Sequence, residues 1–200
     1  SARLVSYDSN SKTYQLGSGI HDLAKSALKI NHFSELVKPR LQKIADAFNM
    51  TATATSKADD QHLALTAFAN PPSSISIRVS LGGRAPLFSG AAGRIFAAYE
   101  DMTEKEIRQI FNQVNWVEPI TLTKWTSQVQ EAKRKGYAID QEEFMVGVSA
   151  IAVPVFSPEN HVFHTIGVLA INSQLKKTNR VEIINFLKET AQEISLNLIR

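Results

Sequence analysis

The chain has 200 residues, of which 44% are hydrophobic and 20% charged, as in a soluble globular domain with a sizeable core. Its net charge is only +3, and the densest basic run, residues 133–135, precedes Gly136 and suits a helix C-terminus better than a DNA-binding surface. The lack of cysteine excludes disulfides and thiolate metal sites and favours a cytoplasmic protein, and no apolar run is long enough for a membrane span.

The N-terminal part of the chain predicts a short hairpin followed by helices. Residues 1–17 form two extended pieces around a polar turn, with no core of their own. From Ile20 to Leu28 the apolar residues recur at helical spacing, and a second helix is expected over residues 34–48. Pro39 is expected to start or kink that second helix.

Strands are predicted next. Residues 51–56 and 61–69 are expected to pair around an Asp59-Asp60 turn. Residues 74–81 alternate strictly between polar and apolar side chains, which predicts a half-buried strand.

The remainder of the chain predicts helices and one long hairpin. Thr103 and Glu106 form a capping box, and a further helix is expected over residues 125–135, ended by Gly136. Two strands over residues 144–156 and 162–171 are followed by a final helix, residues 179–198. The order of the elements predicts an α+β fold with a mainly antiparallel sheet flanked by helices.

The most informative segment is residues 81–99, in which a strand ends and a helix begins on very small residues. Unpaired N–H groups at such a helix start, together with the positive end of the helix dipole, can bind a carboxylate or phosphate. The alternative is that Gly90, Ala91, Ala92 and Gly93 are small because the helix packs closely against its neighbours.

Patterns typical of enzymes, cofactor sites and metal sites are absent from the sequence. There is no G-x-S-x-G, no P-loop and no complete G-x-G-x-x-G. His161 and His164 are three residues apart near one strand, so their side chains are expected on opposite faces, in turn or surface positions rather than on one metal ion. The adjacent Glu142 and Glu143 predict a solvated face. We therefore expect no enzyme activity, no cofactor and no metal.

Four segments resemble, in order and spacing, the landmarks of IclR-type bacterial transcription regulators. They are residues 14–17 (YQLG), 82–94 (GGRAPLFSGAAGR), 136–148 (GYAIDQEEFMVGV) and 151–155 (IAVPV). The resemblance runs from about Tyr14 to the C-terminus. It implies an effector-binding domain with a GAF-like fold, in which a curved, mainly antiparallel sheet is flanked by helices.

The resemblance also implies a domain organisation. Residues 1–17 would be the remnant of the wing of an N-terminal winged helix-turn-helix domain, residues 18–31 a linker helix, and residues 32–200 the effector-binding domain. Operator DNA would be bound through an N-terminal domain absent from this chain, and the protein would form a homodimer or homotetramer.

Carried over by position, the family's ligand site has three parts in this chain. The backbone at Gly90, Ala91 and Ala92 would face the acid group of a small carboxylate effector. Asp140 would lie at the pocket edge, accepting a hydrogen bond or orienting its neighbours. The pocket wall would be formed by two residues on each of two strands: Val148, Ala150, Gly167 and Leu169.

The sequence departs from the family at this site. Ala150, Gly167 and Leu169 offer no hydroxyl or thiol, and Phe88 replaces the usual histidine before the small-residue loop. More apolar surface favours an effector with an aromatic or partly apolar body and one acid group. Asp140 could instead be a turn-former, and Val148 and Leu169 plain core residues.

The sequence thus predicts the ligand-sensing and oligomerising half of a transcription regulator, with no membrane association. One alternative is a GAF-like enzyme acting on a similar small molecule. The other is a structural dimerisation module whose pocket is closed by its own side chains. An open cavity beside Gly90, Ala91 and Ala92 would distinguish the sensor from the closed module.

Overall fold

The computed structural model describes residues 4–8, 12–17, 19–73 and 76–198, and the chain divides into two compact units, Ser1–Leu36 and Val37–Arg200. The first unit holds the antiparallel strands β1 (Val5–Asp8) and β2 (Thr13–Leu16) and the start of helix α1 (Gly19–Phe48). Tyr7 pairs with Tyr14 across the two strands, with ring centroids 5.1 Å apart. The predicted N-terminal hairpin is confirmed; residues 9–11 of its turn lie outside the described residues.

The second unit is built on one six-stranded sheet, in which every neighbouring pair is antiparallel. The strand order is β5-β4-β3-β8-β7-β6. The strands are β3 (Thr51–Lys57), β4 (His62–Ala69), β5 (Arg84–Pro86), β6 (Ala138–Gln141), β7 (Val148–Phe156) and β8 (Val162–Ile171). The helices that follow α1 are α2 (Gly90–Tyr99), α3 (Glu104–Phe111), α4 (Leu122–Lys135), α5 (Asn172–Lys177) and α6 (Arg180–Asn197). The predicted α+β, GAF-like class is confirmed.

Helix α1 corrects one prediction. A single helix of 30 residues replaces the two helices expected, and Pro39 lies inside it. In the second unit its apolar stripe, Val37, Leu41 and Ile44, is fully buried. Phe48 at its end contacts Phe186 of α6 edge to face, with ring centroids 5.4 Å apart. The predicted boundary between residues 31 and 32 falls within this continuous helix.

Helix α2 and its neighbours pack on the middle and one edge of the sheet. Ala91, Ile95 and Ala98 of α2 form one cluster with Ala138 of β6 and Ala152 of β7. A second cluster contains Phe88, which precedes α2, and Trp125 of α4, with ring centroids 4.5 Å apart. The alanines of the first cluster, on α2 and on strands β6 and β7, therefore allow α2 to lie close to the sheet.

Local capping signals are confirmed by the structure. Thr103 and Glu106 form the expected capping box at the start of α3. Gly136 ends α4 in the left-handed region, with φ of 70°, and the basic residues 133–135 occupy its last turn. These signals succeed because each depends on residues close together in the chain.

One predicted strand is not formed in the described residues, and another begins later than predicted. Residues 76–80 are extended but pair with no strand, and residues 74 and 75 of that predicted strand lie outside the described residues. Strand β7 begins at Val148 rather than at residue 144, because Glu142 and Gly147 have φ of 65° and 71° and turn the intervening loop. Within the described part of the chain, no helix is both long and apolar enough to cross a membrane.

Candidate functional site

A cavity of about 280 Å³ lies between the sheet, the start of α2, the extended segment 76–80 and the β6–β7 loop. Most of its lining is apolar, with contributions from Leu63, Leu65, Ile77, Val79 and Phe144. Every residue predicted for the site lines this one cavity: Gly90, Ala91, Ala92, Asp140, Val148, Ala150, Gly167 and Leu169. The structure thus brings together residues from α2, β6, β7 and β8, and their role in binding an effector stays a prediction.

The start of α2 carries no side-chain cap. Ser89 occupies the N-cap position but makes no capping hydrogen bond, and its hydroxyl instead donates to the Pro86 carbonyl oxygen at 2.6 Å. The first turn of α2 contains no acidic residue. Because the first N–H groups of a helix have no acceptor within the helix, this helix start presents donors and a partial positive charge to the cavity.

Close packing explains one of the small residues at this helix start, and an open approach suits another. A Cβ on Gly93 would lie 2.3 Å from the Phe88 carbonyl carbon, so only glycine fits there. At Gly90 a Cβ would meet nothing within 4 Å, and its φ of +61° is the feature that favours glycine. Close packing was the alternative explanation for the small residues. It explains Gly93, but it does not explain Gly90, which lies beside open space.

A buried ionic cluster lies behind the helix start and centres on Arg94. The Arg94 Nη1 atom donates to the Gly90 carbonyl oxygen at 2.7 Å and to Asp140 Oδ1 at 3.0 Å, while Nη2 donates to Glu143 Oε2 at 2.5 Å. Gln128 of α4 accepts from Arg94 Nε at 3.0 Å and donates to Glu143 Oε1 at 3.1 Å. The cluster joins α2, α4, β6 and the β6–β7 loop at the cavity.

Asp140 lies in strand β6 and not in a turn, so the turn-forming alternative is wrong. Its carboxylate is almost fully buried and accepts hydrogen bonds from Arg94 and from the backbone N–H of Phe144. Burial and the neighbouring Glu143 raise the pKa of Asp140, and the Arg94 guanidinium opposes that rise. Asp140 thus fixes both Arg94 and the loop residue Phe144, which itself lines the cavity.

Glu143 contradicts the solvated face expected for residues 142 and 143. It is only 6% exposed, and its carboxylate also accepts a hydrogen bond from Lys124 Nζ at 3.0 Å. Sequence reasoning missed Arg94 as well. An arginine within an otherwise small and apolar helix could have indicated a buried acidic partner, because a buried arginine is almost always paired.

The cavity also has polar wall residues that sequence reasoning missed. Thr53 and Thr55 of β3 and Thr165 of β8 line it, and Thr53 and Thr165 are more than nine-tenths buried. The predicted lack of hydroxyls holds for Ala150, Gly167 and Leu169, but these threonines lie on neighbouring positions of the sheet. The alternation of Thr and Ala in β3 could have indicated them.

The extended segment 76–80 covers part of the cavity with Ile77 and Val79. Its alternation is real, because Ile77 and Val79 are half-buried while Ser76, Arg78 and Ser80 are exposed. The hydroxyl of Thr51 donates to the Ile77 carbonyl oxygen at 3.2 Å and ties the segment to the sheet. The apolar side chains therefore face a cavity instead of a packed core.

The two histidines lie in different surroundings, and the turn or surface role expected for both holds only for His161. His161 is exposed in the β7–β8 turn, whereas His164 is buried in β8, where desolvation lowers its pKa to about 3. Across the described residues, no group of three or more histidine or acidic side chains is arranged to hold a metal ion.

Comparison with known proteins decides the family. The sequence profile described as "Bacterial transcriptional regulator IclR C-terminal" matches residues 25–196. The chain belongs to the IclR family of transcriptional regulators. It is 26% identical over 191 residues to the DNA-binding transcriptional repressor YiaJ of Escherichia coli K12, covering 93% of this chain and 68% of the repressor.

Solved structures of IclR regulators share the fold. An IclR transcriptional regulator from Alicyclobacillus acidocaldarius superimposes with a TM-score of 0.74 at 29% identity, covering 98% of this chain and 80% of that one. An IclR homologue from Microbacterium hydrocarbonoxydans, complexed with 4-hydroxybenzoate, has a TM-score of 0.74 at 14% identity, with 98% and 80% covered. The profile match and the superposition together show that this chain has the fold of an IclR C-terminal domain. The relatives that it matches are regulators of transcription.

Proposed function

We propose that this chain is the effector-binding and oligomerising domain of its regulator, and that it binds a small carboxylate metabolite with an aromatic or partly apolar body. The observation that carries the proposal is the open cavity of about 280 Å³ whose wall includes the uncapped start of α2. Its size is near the lower end of small-molecule sites.

The acid group is assigned to the helix start. Backbone N–H groups at Gly90, Ala91 and Ala92 can donate to a carboxylate, and the helix dipole favours a negative charge there. Arg94 strengthens this arrangement because its hydrogen bond to the Gly90 carbonyl holds the first turn in place.

The body of the effector is assigned to the apolar wall. Val148 and Leu169 are half-buried at the cavity and face it together with Leu65, Ile77 and Val79, so they are available to a ligand. An apolar wall with one anion-binding end selects an apolar acid. The Microbacterium homologue, which shares the fold, is complexed with 4-hydroxybenzoate, an aromatic acid of this kind.

Binding would act by a shift of populations. An effector that prefers one arrangement of the protomers, by about 1–3 kcal/mol, would change the spacing of DNA-binding domains outside this chain. Operator DNA and a homodimer or homotetramer are therefore part of the proposal. Sedimentation of the chain with and without effector tests whether binding changes the assembly.

A thermal-shift screen with small keto acids, dicarboxylates and aromatic acids tests the proposal. An acid at about 100 times its Kd stabilises the folded chain by about 2.7 kcal/mol, which raises Tm measurably. Ala150→Leu fills the cavity from β7 and should abolish the shift. Ala47→Leu, at an exposed position of α1, is the matched control and should keep it.

The screen also separates the alternatives. A closed structural module would give no saturable shift with any acid, and the open cavity beside Gly90 already argues against it. An enzyme would convert the acid that binds, which a turnover assay on the same compound detects. Loss of the shift in Ala47→Leu as well as Ala150→Leu would contradict binding at the cavity.

A further inference from the structure

The cavity has a second polar end, formed by hydroxyls on β3 and β8. Thr53 is 7% exposed and Thr165 is 2% exposed, yet both line the cavity. Among the described residues, no hydrogen-bond partner is found for either hydroxyl. By contrast, the hydroxyls of Thr51, Thr66 and Ser89 are each bonded to a backbone carbonyl. Neither hydroxyl is among the fully buried polar atoms that lack a partner, so both remain accessible from the cavity. An apolar ligand group that covers them would carry a desolvation cost, which a hydroxyl group on the ligand would remove.

The sheet register keeps this polar end open. Thr53 lies directly opposite Gly167 of β8, and Thr55 lies opposite Thr165. A Cβ on Gly167 would lie 2.2 Å from the Ile151 carbonyl oxygen, so the backbone geometry excludes any larger residue there. The space beside Thr53 is therefore a fixed feature of the fold.

The two polar ends are well separated. Ala91 at the start of α2 and Ala152 of β7 belong to one buried cluster, and Ala152 lies opposite Gly167, which lies opposite Thr53. Strand β3 is thus two strands from β7, about 10 Å across the sheet at about 4.8 Å per strand. A ligand with its acid at α2 reaches Thr53 only with its far end.

We propose that Thr53 and Thr165 select acids that carry a hydroxyl group at the end remote from the carboxylate. This inference rests on the proposed function, since it takes the acid group to be at the start of α2. A threonine hydroxyl can both donate to and accept from such a group. An unsubstituted acid would leave both threonine hydroxyls buried and unpaired, and would bind more weakly.

Matched pairs of acids test the selection. Isothermal titration compares 4-hydroxybenzoate with benzoate, and 6-hydroxyhexanoate with hexanoate, on the wild-type chain. The hydroxylated member of the pair that binds should have a Kd lower by about tenfold or more. Equal affinities within the pair, or tighter binding of the unsubstituted acid or of a dicarboxylate, would overturn the proposal.

Isosteric variants assign the preference to these residues. Thr53→Val and Thr165→Val should remove the preference. The hydroxylated acid should bind more weakly, and the unsubstituted acid more tightly, because it no longer leaves a threonine hydroxyl unpaired. Thr165→Ser, which retains the hydroxyl, should keep the preference if Thr165→Val fails to fold. Thr66→Val is the matched control, because the Thr66 hydroxyl donates to the Ala54 carbonyl and does not line the cavity.

The outcomes separate this inference from the proposed function. If acids bind without regard to the hydroxyl, the sensor stands and the role of the threonines is overturned. If none of the four acids binds and the wider screen also fails, the proposed function is overturned and this inference with it. A preference that survives Thr53→Val and Thr165→Val together would also overturn the assignment.

Discussion

Arg94 and Asp140 form a buried ion pair, with 3.0 Å between Arg94 Nη1 and Asp140 Oδ1 and no more than 3% of either residue exposed. The pair connects α2 to strand β6, which lies at the edge of the sheet. The same nitrogen of Arg94 also holds the Gly90 carbonyl. A charge network that stabilises the fold therefore also sets the position of the proposed carboxylate site.

We predict that Arg94→Met lowers the free energy of unfolding by about 3–5 kcal/mol. The substitution leaves Asp140 buried without its counter-charge and Glu143 with Lys124 as its remaining cationic partner, and an uncompensated buried carboxylate costs more than the pair contributes when intact. Urea denaturation at neutral pH measures the loss. Arg108→Met is the control, because the Arg108–Glu104 pair is exposed and is worth at most about 0.5 kcal/mol. Equal losses in the two variants would refute a structural role for the cluster.

We predict that the covering segment 76–80 opens more readily in Thr51→Val. The Thr51 hydroxyl donates to the Ile77 carbonyl, and one such bond is worth about 1 kcal/mol, or about fivefold in an opening equilibrium. Limited trypsin cleavage after the exposed Arg78 reports the opening. Thr66→Val should cleave at the wild-type rate, and a bound acid should slow cleavage of every chain that binds it. A rate for Thr51→Val equal to wild type would show that this hydroxyl does not hold the segment.

We predict a pH-dependent stability that depends on His164. Burial lowers its folded pKa to about 3, so between the ordinary value near 6.5 and pH 3 only the unfolded chain takes up the proton. Stability from this residue is thus present above pH 6.5 and falls by about 1.4 kcal/mol per pH unit below it.

Comparison of variants isolates the His164 contribution. The difference in unfolding free energy between the wild type and His164→Gln should shrink as pH falls from 7 to 5, since the variant has no imidazole to protonate. His161→Gln, at the exposed turn, should keep the wild-type slope. A wild-type slope in His164→Gln would contradict a buried neutral imidazole.

Prediction from sequence succeeded where the deciding residues are near one another in the chain. The helix cap at Gly136, the capping box at Thr103 and the strand β8 follow from local patterns. It failed for Glu143, because the partner that permits its burial, Arg94, is 49 residues away. It failed for residues 74–81 because alternation cannot show whether a neighbouring strand or a cavity meets the apolar side chains. Ile77 and Val79 line the cavity, whereas Leu81 is exposed.

The lining of the cavity was predicted in part. Small residues at a helix start and the family resemblance predicted residues of α2, β7 and β8 that line it, and their role in binding an acid stays a prediction. The threonines of β3 were missed because they reach the cavity only through the register between β3 and β8, which joins residues more than 100 positions apart. Long-range pairing of this kind is not encoded in any short stretch of sequence.

The most direct test of the account is an amide NMR titration of the chain with the acid that gives the largest thermal shift, compared with its neutral amide analogue. The account predicts saturable shifts of the Ala91 and Ala92 N–H signals with the acid, weaker binding of the analogue, and no response in Ala150→Leu. Saturable shifts confined to residues outside the cavity, or equal binding of the acid and its amide, would contradict a carboxylate site at the start of α2.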